Sequence, residues 1–313
     1  MSGGSGGADA AAPGGKRAKP GAHAPGQKSG RRLLLLPTVL LLLVFSIFPL
    51  VASVALGFGS WDIGMESPYS FRGLENFARL IGDSRYFTSL VNTLVYAVGS
   101  VALQFGIGLA LAWMLYQRPP GHSYYRVLFL MPMMLTPVAV AYMWRLIFEH
   151  RIGAINFFLS TFGLEPIPWL TERATALLAI VVVETWQWTP FVFVFVYAAL
   201  ENLPRDVIDA AVVDGASRWQ TFRHVVFPLL RPIAIAILLL RMVESLKIMD
   251  TVYVMTGGGP GNSTESLTLY AYRAGLQFFD LGSAAAIALT LLVGVLILAL
   301  PLVLRLSKEA ETV

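Results

Sequence analysis

The chain has 313 residues, of which 56% are hydrophobic and only 13% charged. Soluble domains carry roughly 25% charged residues, so a deficit this large over this length points to a bilayer, not to a bigger water-soluble core. The sequence has no cysteine, which excludes disulfides, thiolate metal sites and cysteine nucleophiles. Its four histidines, His23, His122, His150 and His224, lie far apart in polar segments without metal-ligand spacing. The net charge of +4 is modest, and the clustering of basic residues in certain loops reads as membrane orientation, not nucleic-acid binding.

Residues 1–30 are rich in Gly, Ala and Pro and carry no apolar period, so they predict a disordered cytoplasmic tail. The apolar run after Arg31 and Arg32 is too long for a signal peptide and predicts a retained first helix. About 20 apolar residues cross the hydrocarbon core, and six segments qualify: 33–58, 86–114, 125–148, 174–200, 232–255 and 282–306. The fold expected is an all-α polytopic membrane protein, with residues 31–313 as its transmembrane domain. Between the fifth and sixth spans, Thr256–Asp280 opens on Gly257-Gly258-Gly259-Pro260-Gly261 and then turns amphipathic. It predicts an extracytoplasmic turn and an interfacial helix. Lys and Arg concentrate in the tail, around 115–125 and in 201–231, while 59–85 is balanced, so both termini are expected in the cytoplasm.

The 201–231 loop is long enough to fold. Pro204 suits a first helical turn, and Val207, Ile208, Ala210 and Ala211 give an apolar stripe that stops at Gly215. A second amphipathic segment starts at Ser217, with Trp219, Phe222, Val225 and Val226 on neighbouring turns. Two short helices with a glycine corner would lie flat beneath the membrane, either packing on headgroups or filling a groove on a soluble partner.

In the fifth span, Arg241, Glu244, Lys247 and Asp250 recur every third residue with alternating sign, which predicts a self-neutralising ladder of neighbouring pairs. Glu184 in the fourth span and Arg241 both fall about 15 Å deep, counting 1.5 Å per residue from the predicted ends, so an interhelical contact is open to them. Intramembrane charge reads either as a packing network or as a solute path. Trp186, Trp188 and Tyr253 lie near these charges and could stack on sugar rings, whereas Trp144 reads as part of an interface belt.

The run Asp209-Ala210-Ala211-Val212-Val213-Asp214-Gly215-Ala216, followed by Trp219, Phe222 and Phe227-Pro228, resembles the EAA loop of binding-protein-dependent ABC importer permeases. Asp209 stands for the family's Glu and Phe227 for its Leu. Phe71-Arg72-Gly73-Leu74-Glu75-Asn76-Phe77, Asn92-Thr93, Trp144–Phe148 with Gly153 and Asn156, and Thr256–Pro260 are similar to the carbohydrate-type members, in order. The resemblance implies a sugar or sugar-like solute, a bacterial inner-membrane location, and three partners: a second homologous permease, an ATPase dimer and an extracytoplasmic solute-binding protein. It implies that Asp209, Ala210, Ala211, Asp214, Gly215, Ala216, Trp219, Phe222 and Pro228 couple to the ATPase. ATP and Mg would sit on that partner, since this chain has no Gly-x-x-x-x-Gly-Lys-Ser/Thr loop and is not expected to be an enzyme. The competing reading is an ion-coupled secondary transporter using Glu184, Arg241, Glu244, Lys247 and Asp250. Such folds show internal repeats, and none is visible here.

Overall fold

The computed structural model of the protein describes residues 37–61 and 69–310. The predicted tail, 1–30, and the start of the predicted first span lie outside them. Residues up to Val51 and those from Ala52 onward form separate compact units. The first contributes most of helix α1 (Pro37–Gly57), and its described residues, Pro37–Val51, are all exposed.

In the second unit a two-residue antiparallel pair, β1 (Gly59–Ser60) and β2 (Ser70–Phe71), precedes α2 (Glu75–Ile81) and α3 (Ser84–Tyr116). Then come α4 (His122–Leu130), α5 (Pro137–Ile147), α6 (Ala154–Thr161) and α7 (Arg173–Glu201). After them follow α8 (Arg205–Val213), α9 (Arg218–Ser245), α10 (Asp250–Met255), α11 (Leu267–Tyr272) and α12 (Leu281–Ala310). The fold is all-α and polytopic. Among the described residues five helices, α1, α3, α7, α9 and α12, are long and apolar enough to cross a membrane, and the bent pair α4–α5 counts as a sixth if its two halves form one span.

The centre is the long contact between α3 and α7. The buried face of α3 includes Ser89, Thr93, Ala97, Ser100, Gln104, Gly108 and Ala112 beside Asn92, Tyr96, Val101 and Leu115, so it is rich in small and polar residues, while Val91, Leu94, Val98 and Ile107 point outward. That inversion suits a bilayer, where close packing and hydrogen bonds, not apolar burial, join helices. Gly108 sets the closest approach: a Cβ there would lie 2.7 Å from the Cβ of Val192 and 3.1 Å from the Phe193 amide nitrogen. Neither neighbour is the end of a flexible side chain. Gly108→Val should therefore cost about 1–3 kcal/mol through overpacking, read as a lowered midpoint for heat-induced aggregation of the detergent-solubilised chain. An unchanged midpoint would show that the helices separate without cost.

Two elements differ from the sequence expectation. The segment predicted as one span over 125–148 is broken: α4, a 3-10 turn at Met131–Met134 and α5 bend by 96°. Pro137 drives the residue before it out of the helical region, and Thr136 is extended, with φ −68° and ψ 141°. The predicted fifth span, 232–255, is displaced. Helix α9 begins at Arg218 and ends at Ser245, and four residues separate it from α10.

The stretch after α10, expected as an extracytoplasmic turn and an interfacial helix, holds a turn whose tip at Pro260–Asn262 is exposed and a short helix, α11, but its middle is drawn inward. Thr264, Glu265 and Ser266 are fully buried. Irregular backbone inside a protein needs hydrogen-bond partners, and α3 supplies several of them. Asn92 Nδ2 donates to the carbonyls of Ser263 (2.9 Å) and Glu265 (3.0 Å), and Tyr96 Oη to that of Thr264 (2.7 Å). Thr93 Oγ1 accepts the Leu267 amide at 2.9 Å. The Glu265 carboxylate takes Arg85 Nε and Nη2 (2.7 and 2.8 Å) and Arg273 Nη1 (2.7 Å). Arg85 also lies 4.4 Å from the Tyr270 ring centre, and Tyr270 Oη donates to Asp83 at 2.6 Å. Burial, and then the Asp83 acceptor, push the Tyr270 phenol up, so it remains a donor at any ordinary pH.

Candidate functional site

Two places in the fold gather the residues singled out in the sequence. The first is the corner between α8 and α9. Pro204 is the N-cap of α8, one residue outside the helical turn expected for it. At the other end the amide of Gly215 donates to Val212 and that of Ala216 to Ala211, both at 3.0 Å, with Gly215 at φ +81°. This is a Schellman stop, in which a left-handed glycine closes the last carbonyls of a helix. Ser217 then starts α9 with a capping box: its Oγ accepts the Gln220 amide, and Gln220 Oε1 accepts the Ser217 amide at 2.8 Å.

The corner has a fixed root and an exposed tip, with the Trp219 ring stacked 5.7 Å from that of Phe222. Ile208 and Phe222 pack into an apolar cluster with Trp113 and Tyr116, the Trp113 and Phe222 ring centres 4.9 Å apart, and Arg218 Nη1 donates to Gln117 Oε1 at 2.9 Å. Outward, Val213 is 86% and Trp219 65% exposed, with Asp209, Ala210, Asp214 and Gly215 exposed beside them, and Ala211 and Ala216 half-buried. The carboxylate of Asp209, which stands for the family's Glu, makes no hydrogen bond or ion pair among the described residues. Helix α9 passes through a π-turn at Phe222–Val226 just before Pro228. The wider turn accommodates a residue with no N–H to give.

The second place is a cavity of about 280 Å³ lined by Glu184, Trp188, Arg241, Glu244, Lys247 and Asp250, with Pro137 and Thr251 among its walls. Six of the eight predicted path residues meet here. Trp186 does not: it packs edge-on to Trp144, ring centres 5.7 Å apart, beside a separate apolar groove. Trp144 is thus half-buried against a neighbouring ring. Tyr253 stands half-exposed on α10 with its ring 6.0 Å from that of Tyr272.

The charge ladder is not a ladder. Arg241 and Glu244 are on α9, Lys247 follows its end, and Asp250 opens α10, so a common helical spacing does not relate them. Of the predicted neighbour pairs only Glu244–Lys247 forms, at 2.8 Å and well exposed. Glu184 and Arg241 share the cavity without pairing. A residue the sequence reading overlooked stands between them: Gln104, fully buried on α3, donates to the Glu184 carbonyl (3.0 Å) and accepts Arg241 Nε (3.0 Å). Arg241 Nη2 reaches Ser245 Oγ at 3.3 Å, and the guanidinium lies 4.7 Å from the Trp188 ring centre. Thr251 Oγ1 donates to Glu184 Oε1 at 2.6 Å, joining α7 to α10. A lone amide side chain in an apolar run, as Gln104 is, was the available signal. Among the described residues no cluster of His, Cys, Asp and Glu could hold a metal.

A family model described as "Binding-protein-dependent transport system inner membrane component" matches residues 102–308. The chain is 35% identical over 277 residues to the probable ABC transporter permease protein y4oQ of Sinorhizobium fredii, covering 88% of this chain and 89% of that one. It is 33% identical over 262 residues to the trehalose/maltose transport system permease protein MalF of Thermococcus litoralis, covering 83% and 88%. The fold is similar to a chain in the crystal structure of a bacterial ABC transporter involved in import of the acidic polysaccharide alginate, with TM-score 0.80 and 21% identity over 90% of this chain and 96% of that one. With its span pattern and the α8–α9 corner, the chain belongs to the family of binding-protein-dependent transport system inner membrane components.

Proposed function

We propose that the chain is a permease subunit of an ATP-driven importer for a sugar or sugar-like solute. In this reading both termini face the cytoplasm, a second permease completes the pathway, and a solute-binding protein delivers from outside. The α8–α9 corner seats in a cleft of a separate ATPase, which holds ATP and Mg, and the Glu184–Arg241 cavity lies on the solute path. The observation that carries the reading is the corner itself: a rigidly capped element whose Val213 and Trp219 remain exposed while its root is locked into the membrane-spanning part. Large exposed apolar side chains on a polar-rimmed knob mark an interaction site. The relatives' names, including a trehalose/maltose system, support the solute class.

The purified chain alone should hydrolyse no ATP, and pulled from cells with its neighbours it should bring an ATPase and a second permease. Replacing Trp219 with Glu should release the ATPase while leaving the companion permease bound, since aromatic anchors carry much of a small interface. Retention of the ATPase by that variant would move the docking site elsewhere. A buried carboxylate, Glu184, favours one rival, an ion-coupled transporter. Solute uptake by this chain alone in liposomes under an ion gradient would establish that rival and remove the proposal.

A further inference from the structure

The loop between α5 and α7 is built more firmly than a connection requires. Its pin is Asn156 on α6, only 3% exposed and with every hydrogen-bonding group of its amide used. Nδ2 donates to the carbonyls of His150 (3.0 Å) and Ile167 (2.9 Å), while Oδ1 accepts the Ile167 amide (3.1 Å) and the Trp169 indole N–H (3.0 Å). Before the helix, Glu149 Oε2 accepts the amides of Arg151 and Ile152, both at 2.7 Å. A Cβ at Gly153 would lie 2.6 Å from the Ile147 carbonyl oxygen, so the chain folds this tightly only with glycine there. Ile155 packs against the apolar cluster that α5 and α7 share.

The other side of this fixed helix is apolar and uncovered. Phe157, Phe158 and Phe162 are 68%, 64% and 79% exposed, and Ile152 just before them 84%. At 3.6 residues per turn the three rings fall within an arc of about 140°, with Asn156 outside it. Large apolar side chains presented together on a rigid element mark a contact surface.

The chain path says what meets it. Helix α7 leads from Arg173 to Glu201 and the α8–α9 corner follows its far end, so α6 is on the membrane face opposite the corner. The Phe148 and Trp169 ring centres, 5.3 Å apart, bring the end of α5 beside the approach to α7. Asn156 ties α6 to that same Trp169. The helix therefore lies at the level where the chain enters the bilayer and does not project from it. In sequence its uncovered face follows the outward row Val138, Tyr142 and Leu146 of α5, which is exposed in the same way. A patch for a soluble protein is enriched in Tyr, Trp, Met and Arg as well as Phe, and α6 has only Phe among these. We propose that α6 is an interfacial anchor, its Phe157, Phe158 and Phe162 face and Ile152 seated among lipid acyl chains just beneath the headgroups. The anchor holds the ends of α5 and α7, which carry Pro137 and Glu184 to the polar cavity, at one depth.

The chain has no cysteine, so one introduced cysteine takes a nitroxide label at one place. Phe157→Cys, Phe158→Cys and, as a reference, Ser160→Cys are each labelled in the full chain. Ser160 is exposed outside the apolar arc, and both phenylalanines are exposed, so none of these changes disturbs packing. Each labelled chain is then reassembled with its companion subunits in lipid nanodiscs. Relaxation of the label by oxygen, which concentrates among acyl chains, is compared with relaxation by a water-soluble nickel chelate. The oxygen-to-nickel ratio should be several-fold higher at Phe157 and Phe158 than at Ser160. A ratio at either phenylalanine position no higher than that at Ser160 puts the face in water and overturns the proposal. Labels shielded from both reagents mean that protein covers the face, which overturns it too. A nickel-accessible face that becomes shielded only when solute-binding protein is added also overturns it, and would make α6 a docking surface for that protein.

Discussion

Replacing Gly215 with Trp or Glu should leave the assembled transporter in the membrane, hydrolysing ATP, while solute uptake falls about tenfold or more. That lies inside the 5–150-fold range spanned by a coupling free energy of about 1–3 kcal/mol. The structure separates two contributions to this effect. Gly215 sits at φ +81°, where a side chain costs about 1–2 kcal/mol, yet no atom lies within 4 Å of a Cβ built there. Gly215→Ala therefore meets only the local strain and should lose little uptake. A large side chain would add bulk on the exposed face proposed to meet the ATPase. Uptake and hydrolysis measured on the same proteoliposomes for Ala, Trp and Glu give the ordering. Full uptake by Gly215→Trp would show that the corner does not transmit the ATPase cycle.

The second large effect is expected far from that corner. Glu265→Ala leaves Arg85 and Arg273 facing each other with no carboxylate between them. Breaking a buried ion cluster by removing one partner costs about 3–5 kcal/mol. The arginine side chains are 25% and 19% exposed while Glu265 is fully buried, so water can reach the stranded cations and the lower end of that range is expected. Glu265→Gln keeps the shape and some acceptor capacity and should fall between. The midpoint of thermal unfolding in detergent is the readout, with a drop of several degrees for Ala. A wild-type midpoint would mean that the loop holds without its ion cluster.

How far the fold was legible depends on the range of the interactions behind each element. The spans were visible because hydrocarbon thickness demands a run of apolar residues, and that demand is local. The break at Thr136 was also local in cause: Pro137 was there to be read, but a hydropathy window averages across it. Helix α9 was misplaced at both ends for different reasons. At its start Arg218, Arg223 and Arg231 lower the hydropathy and Pro228 and Pro232 read as breakers, yet the helix continues past both by way of a π-turn. At its end the Leu246–Met249 stretch contains neither Gly nor Pro. The carbonyl of Ile248, left open by the break, accepts Ser266 Oγ at 2.7 Å. A helix end satisfied by a residue from the next segment is invisible to any local pattern.

The candidate sites divide in the same way. The Gly215 corner was readable from one glycine and one cap. The cavity was half readable: the charged residues were named, but their supposed common helix was wrong, and Gln104, which orients Arg241, came from a span read as merely apolar. Glu265 was hidden among Thr and Ser in a segment expected as an extracytoplasmic turn and an interfacial helix, and its partners are 180 residues before it and eight after.

Helix α9 runs unbroken from Arg218 to Ser245, and that continuity makes it a lever. At 1.5 Å per residue it is about 42 Å long, and Arg241 lies about 35 Å along it from Arg218. A tilt of about 10° pivoting at one end swings the other by roughly 6 Å over that arm. The corner at one end and the cavity wall at the other are therefore two points on one rod. A push at the first that is not taken up near the base reaches the second along the helix, with no relay of side chains between them. The π-turn and the two prolines near the rod's base are where it can flex, so part of any push there is absorbed before it reaches the cavity.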